Sequence, residues 1–94
     1  MARTINRISA TKLAAFKAPG YYADGGCLYH RIAPGGSRGW IFRYALHGQT
    51  HDMGMGPYPE VSLAAARKRA FEYRQSLAEG VDPLAKRNAK RAAA

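Results

Sequence analysis

From Cys27 to Met55 the chain alternates large apolar side chains with other residues at a period of two, and this pattern restricts its fold more than any other feature. In "CLYHRIA", Leu28, His30 and Ile32 fall on one side, and Tyr29, Arg31 and Ala33 on the other. In "WIFRYALH", Trp40, Phe42, Tyr44 and Leu46 oppose Ile41, Arg43, Ala45 and His47. In "THDMGMG", Met53 and Met55 oppose Thr50 and Asp52. Successive side chains of a strand point to opposite faces, so each segment predicts a strand with one apolar face. "PGGSRG" (34–39) predicts a loop, and "HGQ" around Gly48 a tight hairpin. Such short links join antiparallel neighbours. "YYAD", ahead of Gly25-Gly26, leaves room for a short edge strand.

The strand pattern stops at "MGMGPYPEVSLAAARKRA" (53–70). Gly54 and Gly56 are expected to end the third strand, and Pro57 and Pro59 to forbid its continuation. Ser62 is a candidate N-cap, because its hydroxyl can accept an N–H left unpaired in the first helical turn. Val61 before it can staple onto Ala66. A helix is predicted from there to about Glu79, with Gly80 supplying the left-handed position beyond its end and Pro83 following. Leu63, Ala66, Ala70, Tyr73 and Leu77 form its apolar stripe, and the alanines allow a close approach to a sheet. Nearer the start, "SATKLAAFK" predicts one short helical turn capped by Ser9 or Thr11.

The fold class expected is therefore α+β, a three-stranded antiparallel sheet packed on one face by a C-terminal α-helix, with the short edge strand as an addition near the N-terminus. The helix covers the face with Leu28, Ile32, Trp40, Phe42, Tyr44, Met53 and Met55. The other face carries Tyr29, Arg31, Ile41, Arg43, Ala45 and Thr50, with nothing left in the chain to cover it.

Charge gives that open face a direction. The 94 residues hold 15 Lys+Arg against 6 Asp+Glu, a net charge of +9. Lys86, Arg87, Lys90 and Arg91 lie in the last nine residues, and removing them leaves +5 on the first 85. The compact part is basic in its own right, which favours a polyanionic partner, nucleic acid ahead of an anionic membrane surface. A chain this small buries roughly 60–65% of its unfolded surface, too little for a deep substrate cleft. The single Cys27 forms no internal disulfide and fits a reducing compartment. No apolar run approaches a membrane span and no signal-peptide core is present, so a soluble, cytoplasmic protein is expected.

Catalytic and metal-binding patterns are weak. Cys27-x-x-His30 with His47-x-x-x-His51 has the spacing of a zinc finger that has lost one cysteine. On a strand, however, Cys27 and His30 point to opposite faces, so no metal site is expected. "GGSRG" and "GMGPYP" lack the strand-turn-helix order and Lys-Ser/Thr pair of a P-loop. The carboxylates are scattered, and no Ser-His-Asp spacing is present. No cofactor and no catalytic residue are assigned. Arg67, Lys68, Arg69 and Arg74 fit a solvated helix face better than a phosphate site, and holding helix to sheet is an alternative for Arg67. Tyr21 and Tyr22 read as strand or loop packing, with a DNA role as the weaker alternative.

In order and spacing, "TKLAAFKAPG", "DGGCLY", "WIFRY", "MGMGPYPEVSLAAAR" and "LAEGVDP" resemble the N-terminal arm-type DNA-binding domain of prophage and genomic-island integrases of the tyrosine recombinase family. The resemblance covers Thr11 to Pro83. It implies a three-stranded antiparallel sheet on one helix, whose open face enters the major groove of double-stranded DNA at arm-type repeats. Residues 1–83 would be that domain, and residues 84–94 would begin the linker to a core-binding and catalytic region absent from these 94 residues. The module would do no chemistry itself. It would act in a bacterial cytoplasm, at the nucleoid when bound, beside other integrase subunits and accessory DNA-bending proteins, with no membrane role.

By position, the resemblance places Tyr29, Arg31, Arg43, Ala45 and Thr50 against DNA, with Gln49 and His51 next to Thr50. Arg38 in its loop and Lys17 before the sheet would contact phosphates. Similar sequences often carry a basic residue where Ala45 stands, and an aliphatic one where His30 stands. His30 is then either a neutral core residue or the mark of a shifted register. Two other functions fit the same composition, a double-stranded RNA binder and a protein-interaction module.

Overall fold

A computed structural model of the chain describes residues 6–93. Seven elements follow one another: α1 (Ala10–Ala15), β1 (Gly20–Gly25), β2 (Leu28–Ile32), β3 (Arg38–Leu46), β4 (Gln49–Pro57), α2 (Leu63–Ala78) and α3 (Pro83–Ala93). The strands form one antiparallel sheet in the order β1-β2-β3-β4. The class is α+β as expected, but the sheet has four strands rather than three, and helices flank it in sequence at both ends. β1 was legible only as an optional edge because its inward position is a carboxylate. Asp24 is 1% exposed, and a charged residue on the core side breaks the apolar alternation that marks a strand.

Two hairpins are closed by two-residue turns in which both central residues have positive φ. They are Gly26 (60°) and Cys27 (73°) between β1 and β2, and His47 (53°) and Gly48 (76°) between β3 and β4. Turns of this kind match the twist of the strands they join. Cys27 therefore precedes β2 instead of opening it. β4 also runs further than its glycines suggested. Trp40 pairs with Gly56 and Ile41 with Gly54, so Met55 is the extra residue of a bulge. The bulge turns Gly56 to φ 110°, where a Cβ would meet Val61 Cγ2 at 2.6 Å. Only glycine fits there.

The core lies between the inner sheet face and α2. It is built from Leu28, Trp40, Phe42, Tyr44, Met53 and Met55 of the sheet with Val61, Ala66 and Ala70, closed at one end by Ile8 and Leu13. His30 belongs to it as well, fully buried and opposite Trp40 in register. There is no register shift at His30. Trp40 Nε1 donates to the Val61 carbonyl at 2.7 Å, which fixes the segment that leads from β4 into α2.

The caps follow the sequence. Ser9 Oγ accepts from Lys12 N, and Ser62 Oγ from Ala65 N, each at 3.1 Å. At the end of α2, Gly80 N donates to Leu77 O and Val81 N to Ser76 O, the paired bonds of a Schellman cap. α3 lies where no helix was expected, because "VDP" does more than follow the end of α2. It is also a start: Asp82 Oδ1 accepts from Leu84 N at 3.0 Å, and Pro83 occupies the first helical position, where its missing N–H costs nothing. The Tyr44 hydroxyl bonds Asp82, and Arg87 Nη1 donates to Gly54 O at 2.6 Å, so α3 docks against β3 and β4.

Candidate nucleic-acid interface

The outer sheet face is built by the residues that alternate with the core. Cross-strand register groups them: Tyr21 opposite Arg31, Tyr29 opposite Ile41, Arg43 opposite Asp52, and Ala45 opposite Thr50. Directly opposed residues share a face, so these eight side chains project together away from α2. The central strands β2 and β3 supply the arginines, where the rigid ladder holds their stems. Among the described residues Arg31 is exposed and Arg43 partly exposed.

The middle of this face is an aromatic–guanidinium cluster. The Arg43 guanidinium lies 4.7 Å from the Tyr21 ring centre and 5.3 Å from that of Tyr29. Arg31 approaches the same Tyr21 ring at 5.7 Å. Tyr21 and Tyr29 meet edge to face at 6.5 Å. A cation over an aromatic face is attracted by the ring quadrupole, so the tyrosines hold the charges in place without neutralising them. Asp52 completes the group, with Oδ1 2.7 Å from Arg43 Nε and Oδ2 3.1 Å from Nη2. That hydrogen bond holds Arg43 above its ordinary pKa and lowers that of Asp52. Both therefore stay charged across the neutral range.

The structure brings together Tyr29, Arg31 and Arg43, with Ala45 and Thr50 exposed at the β3–β4 end of the same face. Lys17 is exposed between α1 and β1. Arg38 lies elsewhere than the sequence suggested. It is the first residue of β3 rather than a loop residue. Its guanidinium is partly buried, with Nη1 donating to Leu13 O at 3.2 Å and Nη2 to Phe16 O. Those carbonyls are left unpaired where α1 ends, and an arginine reaching from the sheet satisfies them. Gln49 is exposed, whereas His51 turns inward and stacks on Tyr44 at 5.3 Å.

Sequence reasoning set a DNA role for Tyr21 behind packing and did not place Asp52 at the site. Tyr21 is 48% exposed and stands at the centre of the cluster. Its signal was alternation within "YYAD", which places Tyr21 and Ala23 outward once Asp24 is accepted as inward. Asp52 was placed on the outer face, but its pairing with Arg43 depends on cross-strand register, which the hairpin at His47-Gly48 sets.

The helical arginines are mostly occupied. Arg67 clasps Asp24, Arg69 Nη1 donates to Met55 O at 2.9 Å, and Arg74 Nη1 to Gly26 O at 3.1 Å. They tie α2 to the sheet instead of forming a solvated row. Among the described residues no three His, Cys, Asp or Glu side chains gather as a metal site, and no helix is long and apolar enough to cross a membrane.

A family model described as an arm DNA-binding domain matches residues 4–90. The chain is similar to prophage integrase IntA of Escherichia coli K12, 38% identical over 88 residues, which is 88% of this chain and 21% of that protein. It is similar to the integrase of Shigella phage Sf6, 31% identical over 81 residues, 86% of this chain and 20% of that protein. Prophage integrase IntZ of Escherichia coli K12 is 39% identical over 57 residues, 61% of this chain and 14% of that protein. The matches span about a fifth or less of each relative.

Proposed function

This chain belongs to the arm DNA-binding domain family, and on that premise we propose that its outer sheet face enters the major groove of double-stranded DNA and reads arm-type repeats for a site-specific integrase. The observation that carries the reading is the cluster of Tyr21, Tyr29, Arg31 and Arg43 on the outer sheet face. The major groove admits a sheet or β-ribbon, and a guanidinium can pair with the O6 and N7 acceptors of guanine. Arg31 and Arg43 are the base-reading side chains, Tyr29, Ala45 and Thr50 add contacts along the groove, and Lys17 meets phosphate. Arg38 acts through the end of α1 in this reading, with phosphate contact secondary. The module binds and does no chemistry; strand cleavage and joining belong to another part of the integrase, and other integrase subunits and DNA-bending proteins assemble around the bound site.

The test is a titration of the 94-residue chain against DNA and RNA duplexes of one sequence at several salt concentrations. If the face neutralises about five phosphates, log affinity for DNA falls with log salt at a slope of roughly −4 to −5. A slope near zero, or equal binding to RNA, would sink the reading.

A further inference from the structure

The Arg43–Asp52 pair raises a question that fold stability does not answer. Both side chains are well exposed, at 35% and 45%, and an ion pair so open to solvent contributes little to folding. A carboxylate in the middle of a face that meets a polyanion also opposes binding. A residue that breaks a local rule in this way calls for a gain at the site.

The gain is in the geometry. Asp52 takes the Nε–H and one Nη2–H of Arg43, the side edge of the guanidinium. Among the described residues Nη1 has no partner, so the end-on pair, one N–H from Nη1 and the second from Nη2, is left without a hydrogen bond. Two parallel donors in that fork match the O6 and N7 acceptors of guanine. Tyr21 and Tyr29 restrain the same group through their rings. Among the described residues Arg31 has the aromatic contact alone, at 5.7 Å, and no carboxylate.

We infer that Asp52 is a positioning residue that fixes the Arg43 fork for one guanine and makes this arginine a base reader in place of a general phosphate contact. The inference rests on the assignment of the outer sheet face to DNA. A free arginine on a basic surface reaches whichever anion is nearest. With its side edge closed by a carboxylate, Arg43 offers one presentation, and the Asp52 charge repels phosphate from the same spot. Specificity rises while affinity for unselected DNA falls.

The experiment is a selection from a pool of randomised DNA duplexes with the 94-residue chain, its Asp52→Asn, Arg43→Lys and Arg43→Ala variants, and sequencing of the bound fraction. Melting curves accompany each variant, and Asp52→Asn is expected to melt like the parent. The parent enriches a motif with a required guanine. Asp52→Asn and Arg43→Lys each lower the preference for guanine at that same position by about tenfold and leave the other positions unchanged. Asp52→Asn also retains more of the unselected pool than the parent. An unchanged guanine preference in Asp52→Asn would overturn the inference. So would loss of a cytosine elsewhere in the motif, because Asp52 would then be reading a base itself. If Arg43→Ala leaves the guanine preference intact, Arg43 does not read that base and the inference fails while Arg31 still carries readout by the face; if the parent enriches no motif, the assignment of the face to sequence readout fails and the inference with it.

Discussion

Arg67 on α2 and Asp24 on β1 meet through two bonds of 2.9 Å, Nε to Oδ2 and Nη2 to Oδ1, with Asp24 almost fully buried. Ile8 N also donates to Oδ1 at 2.8 Å, and Arg67 bonds the Ile8 carbonyl. One carboxylate thus ties the N-terminal segment, the edge strand and the main helix together. The strand holding Tyr21 on the outer face is kept in register by a charge on the inner one.

Arg67→Met tests that clasp. The variant leaves a buried carboxylate with only the Ile8 N–H, and breaking a buried pair costs about 3–5 kcal/mol, reduced to about 2–4 because Arg67 is partly exposed. Urea unfolding at neutral pH measures it. A loss under about 0.5 kcal/mol, the scatter of ordinary surface changes, would show that the clasp contributes nothing.

Trp40→Ala removes the largest buried side chain and leaves the Val61 carbonyl without its donor. A cost of about 3–5 kcal/mol is expected. Small domains hold about 5–15 kcal/mol in all, so the loss takes a large share of the total and should lower the melting temperature markedly by circular dichroism. A Trp40→Ala protein that melted like the parent yet had lost DNA binding would reverse the assignment of the sheet faces.

His30 predicts an acid sensitivity. Burial, with the Arg38 charge adding to it, lowers its pKa from 6.5 to about 4, and neither ring nitrogen has a hydrogen-bond partner. The folded state resists protonation that the unfolded state accepts. Stability from this residue is therefore complete above about pH 6.5 and falls as pH drops towards 4, by about 3 kcal/mol in total. His30→Leu should flatten the urea midpoint between pH 7 and pH 4.5 relative to the parent. Equal slopes in the two proteins would assign the acid sensitivity to other groups, Asp52 and Asp82 among them.

Reading and holding separate on the outer face. Arg31→Ala should weaken binding to the selected DNA site by about ten- to a hundredfold and binding to a scrambled duplex far less. Lys17→Ala should weaken both alike, since phosphates carry no sequence. Paired titrations at one salt concentration check this, and equal losses for Arg31→Ala on both duplexes would refute base readout by that side chain.

Arg38→Ala should act on the fold before it acts on DNA. It frees the Leu13 and Phe16 carbonyls and loosens α1 at a cost of about 1–3 kcal/mol. Hydrogen exchange in Lys12–Phe16 faster than in the parent is the expected sign. Unchanged exchange together with weaker DNA binding would return Arg38 to the role of a phosphate contact.

The sequence by itself determined β2, β3, β4 and α2, their faces and most of their ends, because each rests on local rules. Period-two alternation sorts Trp40 from Arg43, Ser62 and Gly80 cap α2 through bonds to residues within five positions, and His47-Gly48 makes a two-residue hairpin. The same rules exposed Tyr29, Arg31 and Arg43 as the outer face. Only the tertiary structure decided what depends on partners distant in the chain. Asp24 could not be read as a core residue without Arg67, 43 positions away. Arg38 could not be read as a cap for α1 without Leu13 and Phe16. Asp52 met Arg43, and Tyr21 joined them, only once four strands were laid in register. A charged side chain looks alike in sequence whether it faces water, a carbonyl or a buried carboxylate. Which of these it meets is fixed by packing, through desolvation and hydrogen-bond geometry that no local pattern encodes.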